Sequence, residues 1–331
     1  MCKILSIIVP TYNMENYLKQ CLDSLIVENR NSIEVLVIND GSTDRSFEIA
    51  NSFHSRFPDV FKIIDKKNGN YGSCINRGLK EATGTYVKVL DADDSFDSKN
   101  FNFFIAFLKS QKADLVLSDF VIVNEQQTIT KEVTYNFGKT EFSIEEFCNT
   151  PKFKAMEMHA VAYRRSLLIS HGYIQSEGIS YTDQQWIFEP ISYISTVSVF
   201  NYPVYRYLIG REGQTMDSRV MIKKMGDRIK MTMDMIAQYD KTINGRSNEI
   251  QNYLFTRAKL NIHQIYSGYF FNESQIHLND IIEFDNYLKY INNKLYQSNL
   301  PITLWRVFKK NTFLNQLYCL LYSFVFNILK K

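Results

Sequence analysis

The sequence predicts an α/β fold, a mostly parallel sheet flanked by helices, with a C-terminal helical segment. Two observations carry this. Apolar runs of strand length alternate with helically spaced apolar residues over positions 4–90, the rhythm of strand–helix–strand units that build parallel sheets. Polar clusters come directly after the strands, and open α/β sheets gather their ligands at the carboxyl ends of the strands.

Ile4 to Val9 is an unbroken apolar run, suited to a strand buried on both faces, and Pro10 ends it. Tyr17, Leu18, Cys21, Leu22, Leu25 and Ile26 then recur at helical spacing. A second strand, Ile33 to Ile38, passes through Gly41 and Ser42 into a helix starting near Asp44, which suits its N-cap. A third strand, Phe61 to Ile64, precedes a turn built from Asn68, Gly69, Asn70 and Gly72. A helix through Leu79 reaches Gly84, and a fourth strand spans Tyr86 to Leu90. Beyond Leu117 the pattern loosens, with strand-like stretches at Phe120 to Val123 and Val197 to Phe200. From Met221 the chain reads as helical. These shifts divide it into two halves of a sheet domain, 1–120 and 121–220, and a helical region, 221–331.

Charge and cysteine usage exclude several classes. The 38 Lys and Arg against 35 Asp and Glu leave a formal charge of +3, whereas a general nucleic-acid binder needs a strongly basic face. Five cysteines, Cys2, Cys21, Cys74, Cys148 and Cys319, are scattered, which argues for reduced thiols rather than a disulfide framework. The N-terminal apolar run is too short for a signal peptide, so a cytoplasmic chain is expected. No Gly-x-Gly-x-x-Gly follows a strand, which removes a nicotinamide dehydrogenase.

Five clusters are candidates for chemistry. Pro10, Thr11, Tyr12 and Asn13 make a stiff polar turn, which alone reads as a turn without a ligand. Asp40 ends the second strand beside Gly41, and it suits a hydrogen bond to a base or ribose as well as a plain turn. Asp91, Asp93 and Asp94, with Ala92 between them, crowd three carboxylates into four residues. That repulsion points to a compensating cation, a hard divalent ion gripping a diphosphate. Asp183, in the stretch Tyr181 to Trp186, is a base if a hydroxyl lies near, and on physical grounds alone a helix cap. Arg211, between Gly210 and Gly213, either clamps a diphosphate with its guanidinium fork or pairs locally with Glu212. His159 and His171 have no partner at ligand spacing and read as satisfied structural histidines.

IIVPTYN (Ile7 to Asn13), VLVINDGSTD (Val35 to Asp44) and VLDADD (Val89 to Asp94), in that order, closely resemble family 2 glycosyltransferases. These are inverting enzymes of the GT-A fold, and the likeness is to bacterial members that build surface polysaccharides or modify cell-wall polymers. It covers residues 1–120 and returns at YTDQQW and GREGQTM. The resemblance implies that Pro10, Thr11 and Tyr12 line a nucleotide pocket and that Asp40 bonds the uracil or equivalent base. Asn68 and the turn to Gly72 would close over the nucleoside. Asp91 and Asp93 would flank Ala92 as the DxD pair, with Asp93 the more direct ligand of Mn²⁺ or Mg²⁺. Asp183 would be the base, and Arg211 would sit in a loop over the diphosphate. The implied donor is a nucleotide-sugar, a UDP-sugar first; the implied acceptor is a glycan, a lipid-linked molecule or a cell-surface polymer.

Two positions depart from the family pattern. Ile75 stands where members often carry an arginine, leaving Arg77 as a displaced candidate, and Thr182 replaces the glutamate of the Glu-Asp pair. The alternative function is a non-catalytic sugar-nucleotide- or glycan-binding protein on the same fold, against which the intact Asp91, Asp93 and Asp183 speak. A nucleotidyltransferase would carry a Gly-rich basic loop where this chain has Pro10 to Asn13.

Past Trp305, Gln316, Ser323 and Asn327 share one helical face and Leu314, Leu317, Tyr318, Leu321 and Ile328 another, with Lys309, Lys310, Lys330 and Lys331 flanking. A spanning helix needs about 20 apolar residues. Residues 305–331 instead suit either a helix in a membrane interface or one packed on the body or on a second subunit of a homo-oligomer.

Overall fold

The computed structural model describes residues 3–151, 153, 155–211, 213–214, 217–298 and 300–329. The chain divides into two units, Met1–Glu212 and Gly213–Lys331. The first opens with β1 (Leu5–Thr11), α1 (Leu18–Asp23), β2 (Ile33–Asn39), α2 (Ser46–Arg56), β3 (Phe61–Asp65), α3 (Asn70–Glu81) and β4 (Tyr86–Val89). It continues through β5 (Ser95–Phe96), α4 (Ser98–Ser110), β6 (Leu115–Val123), β7 (Ile129–Val133), β8 (Glu141–Ser143) and α5 (Ile144–Cys148). It closes with β9 (Val161–Arg164), α6 (Arg165–Ser170), α7 (Asp183–Trp186) and β10 (Thr196–Leu208).

One sheet runs β3-β2-β1-β4-β9-β6-β10-β5, with β7 on β6 and β8 on β10. Its longest ladders are parallel: β1 with β2, β2 with β3, and β6 with β10. Every residue of β2 and β4 is buried, as unbroken apolar runs require of strands covered on both faces. The short β9 lies antiparallel between β4 and β6 and so joins the two parallel groups.

Several local expectations shift. Pro10 does not end β1; it stays in register opposite Ile38. Its missing N–H stops the ladder only on the β4 side, where pairing ends at Ile8 and Val89. Helix α2 starts near Asp44, at Ser46, but its N-cap position is Arg45 rather than Asp44. Asp44 stays outside it and accepts from the Ser46 and Glu15 amides, each at 2.9 Å. The turn expected to run to Gly72 ends earlier, because α3 begins at Asn70.

The second unit is helical: α8 (Ser218–Lys223), α9 (Met225–Ala237), α10 (Tyr239–Ile243), α11 (Asn248–Phe271), α12 (Leu278–Ile291), α13 (Asn293–Gln297), α14 (Leu300–Phe308) and α15 (Thr312–Leu329). Helix α11 packs against α9, α12 and α15. Trp305 is fully buried against Tyr266, Tyr269 and Phe270, and its Nε1 donates to Asn315 Oδ1 at 2.8 Å. Buried Asp285 accepts from Arg306 and Lys309, each at 2.6 Å, and from the Tyr266 hydroxyl at 2.5 Å. In helix α15, Asn315 and Ser323 face α11, while Leu317 and Leu321, from the apolar face read in the sequence, are exposed. Among the described residues no helix is long and apolar enough to cross a membrane. Lys330 and Lys331 lie outside them.

Candidate active site

The loops after β1 and β2 are stitched together. Asn13, at φ +53°, accepts from the Thr43 amide at 2.8 Å, and its own amide donates to Ser42 Oγ at 3.1 Å. Ser46 Oγ accepts from the Met14 amide at 2.7 Å. Ser42, Thr43 and Asp44 therefore hold loop to loop rather than forming only a turn and a cap. Thr11 is buried with its hydroxyl on Val9 O, whereas Tyr12 is exposed at the strand end.

Asp40, buried at the end of β2, organises the neighbouring loop through one oxygen. Its Oδ1 accepts from Lys66 Nζ and from the Gly69 amide at 3.0 Å, and Asn68 Nδ2 donates to the Asp40 carbonyl at 2.9 Å. Gly41, at φ +72°, keeps clear of the Asn68 amide, which a Cβ would approach to 3.2 Å. Asn68 thus braces the strand-end turn.

After β4, Asp91, Asp93 and Asp94 bring one oxygen each to within 4.8 Å of one another. Asp94 is committed to β10: Oδ1 accepts from the Leu208 amide at 2.7 Å and Oδ2 from the Tyr205 hydroxyl at 2.6 Å. Asp91 accepts from the Tyr71 hydroxyl at 2.8 Å, and Asp93 pairs with Arg211 Nε at 2.5 Å. Burial first, and the Asp93 charge second, raise Asp91 to about 7. An acid raised first by burial and then by a neighbouring like charge, beside a second carboxylate, is part of a donor set that fits a hard divalent cation.

Beneath this turn, Lys88 of β4 is fully buried. Its ammonium donates to His159 O at 2.6 Å and Val161 O at 3.3 Å and lies 5.7 Å from the centre of the Tyr205 ring. Burial lowers it to about 7. His159 stacks on Tyr207, but its buried Nδ1 has no hydrogen-bond partner, so it is not the satisfied histidine expected.

Asp183 begins α7, whose N-cap position, Thr182, makes no side-chain cap. The segment leading to it is clamped onto α3. Asn76 Nδ2 donates to Gln175 O at 2.9 Å and Asn76 Oδ1 accepts from the Gln175 amide at 2.8 Å. Gln185 holds Ser176 by both its amide and its hydroxyl, at 2.9 and 2.8 Å. Gly72 is required here, since a Cβ would stand 1.9 Å from Ser176 O. Trp186 anchors the other end, fully buried against Tyr163 and Tyr173. Asp183 comes close enough to add its charge, after burial and Asp93, to the upward shift of Asp91.

The model of glycosyl transferase family 2 matches residues 6–172, half of the chain. The chain belongs to that family. Among its relatives, glycosyltransferase GlyA of Streptococcus pneumoniae is 35% identical over 123 residues, which are 37% of this chain and 18% of GlyA. The chain thus matches only a small part of that longer protein. A crystal structure of S. aureus TarS 1-349 in complex with UDP superposes with a TM-score of 0.63 at 18% identity, over 88% of this chain and 82% of that one. The mannosyltransferase PcManGT from Pyrobaculum calidifontis, in complex with GDP-Man and Mn²⁺, gives 0.51 at 16% identity, over 96% and 84%. The expected GT-A fold is therefore present, with its helical C-terminal segment.

Within this family 2 chain, some departures from the pattern gain a physical reading. Ile75 is fully buried core, and Arg77 pairs on the surface with Glu81 at 3.0 Å, so neither reaches the site. Gly78 lets α3 lie against Ile8, whose side chain a Cβ would meet at 2.6 Å. Sequence reasoning missed Lys66, Tyr71, Lys88 and Gln175, and gave Asn76 and Gln185 no role in holding this segment. Of the Gly210 to Met216 cluster, Glu212, Thr215 and Met216 lie outside the described residues.

Proposed function

We propose that the chain moves a sugar from a nucleotide-sugar, a UDP-sugar first, to a glycan, lipid-linked or cell-surface polymer acceptor with inversion. The observation that carries this reading is the meeting of Asp91, Asp93 and Arg211 at the end of β4 with Asp183 within electrostatic reach.

Pro10, Thr11 and Tyr12 would line the nucleotide pocket, the exposed Tyr12 ring stacking on the base. Asp40 would bond the base through Oδ2, since Oδ1 already holds Lys66 and Gly69. Asn68 and Gly72 would shape the rim. Asp93 and Asp91, separated by the small Ala92, would hold Mn²⁺ or Mg²⁺, which when bound neutralises charge on a departing nucleoside diphosphate. Arg211 would exchange Asp93 for a phosphate, to which its planar fork is matched. Asp183 would take the proton of the acceptor hydroxyl as it attacks the anomeric carbon from the face opposite the leaving group, a role worth about 10²–10⁴-fold in rate.

Nucleotide release from UDP-, GDP- and dTDP-sugars, with Mn²⁺ and with EDTA, tests this. Release from one donor, stopped by EDTA, is expected. No release together with no metal-dependent nucleotide binding would overturn it in favour of a non-catalytic binding protein.

A further inference from the structure

The side of α15 turned away from α11 is apolar and uncovered. Phe313, Leu317, Leu320, Leu321, Phe324 and Val325 recur along it at helical spacing, each between 41% and 71% exposed. They run for about 18 Å of helix. On α14, Leu304 and Val307 are 50% and 73% exposed. Soluble surfaces scatter apolar side chains singly, and a continuous band marks a binding face. The helix is no detached arm, because its other side is fixed: Asn315 and Cys319 are buried, and the Tyr318 hydroxyl donates to Pro301 O at 2.6 Å.

Charge indicates what this face meets. Residues 286–331 contain Lys289, Lys294, Arg306, Lys309, Lys310, Lys330 and Lys331 and no Asp or Glu. Arg306 and Lys309 serve Asp285, while Lys310 is exposed just before α15 and two lysines follow it in sequence. Pairing with a second copy of the same face would set lysines against lysines whether the helices ran parallel or antiparallel. A surface that is anionic outside and apolar within answers both features.

We propose that the α14–α15 face docks on an anionic lipid bilayer, with α15 lying in the plane of the interface. The inference rests on the second unit alone and holds whatever the donor or acceptor.

The full chain would be sedimented with vesicles of phosphatidylcholine alone and with vesicles containing phosphatidylglycerol. Binding to the second set, weakened by salt, is expected, and a drop of about tenfold or more in Leu320→Glu/Phe324→Glu. Both side chains are exposed, and circular dichroism and thermal melting check that the variant stays folded. Failure to bind phosphatidylglycerol vesicles, or equal binding by the folded double variant, overturns the proposal. So does a dimer in light scattering that the double variant dissolves, which would give the face to a second copy.

Discussion

Lys88 and Asp183 show two uses of a charged side chain placed next to the acidic turn. The Lys88 ammonium meets two backbone carbonyls and aromatic rings rather than a carboxylate, and burial lowers it to about 7. Its folded value lies below that of the unfolded chain. Between the two, the unfolded state holds the proton that the native state has released, so stability rises with pH from about 7 upward, by at most about 1.4 kcal/mol per pH unit. Below that window the buried charge costs its full amount. Chemical denaturation from about pH 6 to about pH 9 should show this slope in the native protein and a flatter one in Lys88→Met. Asp183 should behave differently. Asp183→Asn is expected to lower kcat by about 10²–10⁴ while the calorimetric affinity for the donor nucleotide stays within about twofold. An equal loss of donor affinity would remove it from the proton-transfer role.

At the scale of elements, α3 controls the segment that carries Asp183. Gly72→Ala would force Ser176 away, since the new Cβ would stand 1.9 Å from its carbonyl; a cost of about 1–3 kcal/mol is expected from such overpacking. Asn76→Ala would leave the Gln175 amide and carbonyl without these partners, at about 1–3 kcal/mol. For Asn76→Ala we expect kcat to fall with the donor KM little changed, because the clamp lies on the Asp183 side; steady-state kinetics with varied donor checks it. These two positions also explain what could be read in advance. The parallel strands were readable because burial on both faces leaves uninterrupted apolar runs. Asp40, Asp91 and Asp93 were readable because they stand at strand ends. Asn76 was not read as a clamp, because its partner is 99 residues away and neither residue type signals the pairing. Gly72 was read as a turn glycine because its reason, a carbonyl from a distant loop, leaves no local trace. The four residues of β9 and the two of β5 are too short to show a period.

Over the whole molecule, each unit carries its own core and its own buried charges. Asp285→Asn would leave Arg306 and Lys309 without a counter-charge at a buried site, a change that costs about 3–5 kcal/mol when one partner of such a network is removed. A lower melting temperature of the helical unit is expected, read by calorimetry with nucleotide binding followed in parallel. The strand order has a consequence for synthesis. Strands β1 to β4 can pair once residues up to Val89 have left the ribosome, but β6 cannot join them until β9 supplies the strand between. A nascent chain stalled after Val123 would therefore hold both β4 and β6 with unpaired edges, the arrangement most prone to strand-to-strand aggregation. Translation pauses before Arg164 should lower the yield of soluble protein more than pauses after Leu208, by which point every strand of the sheet has been made.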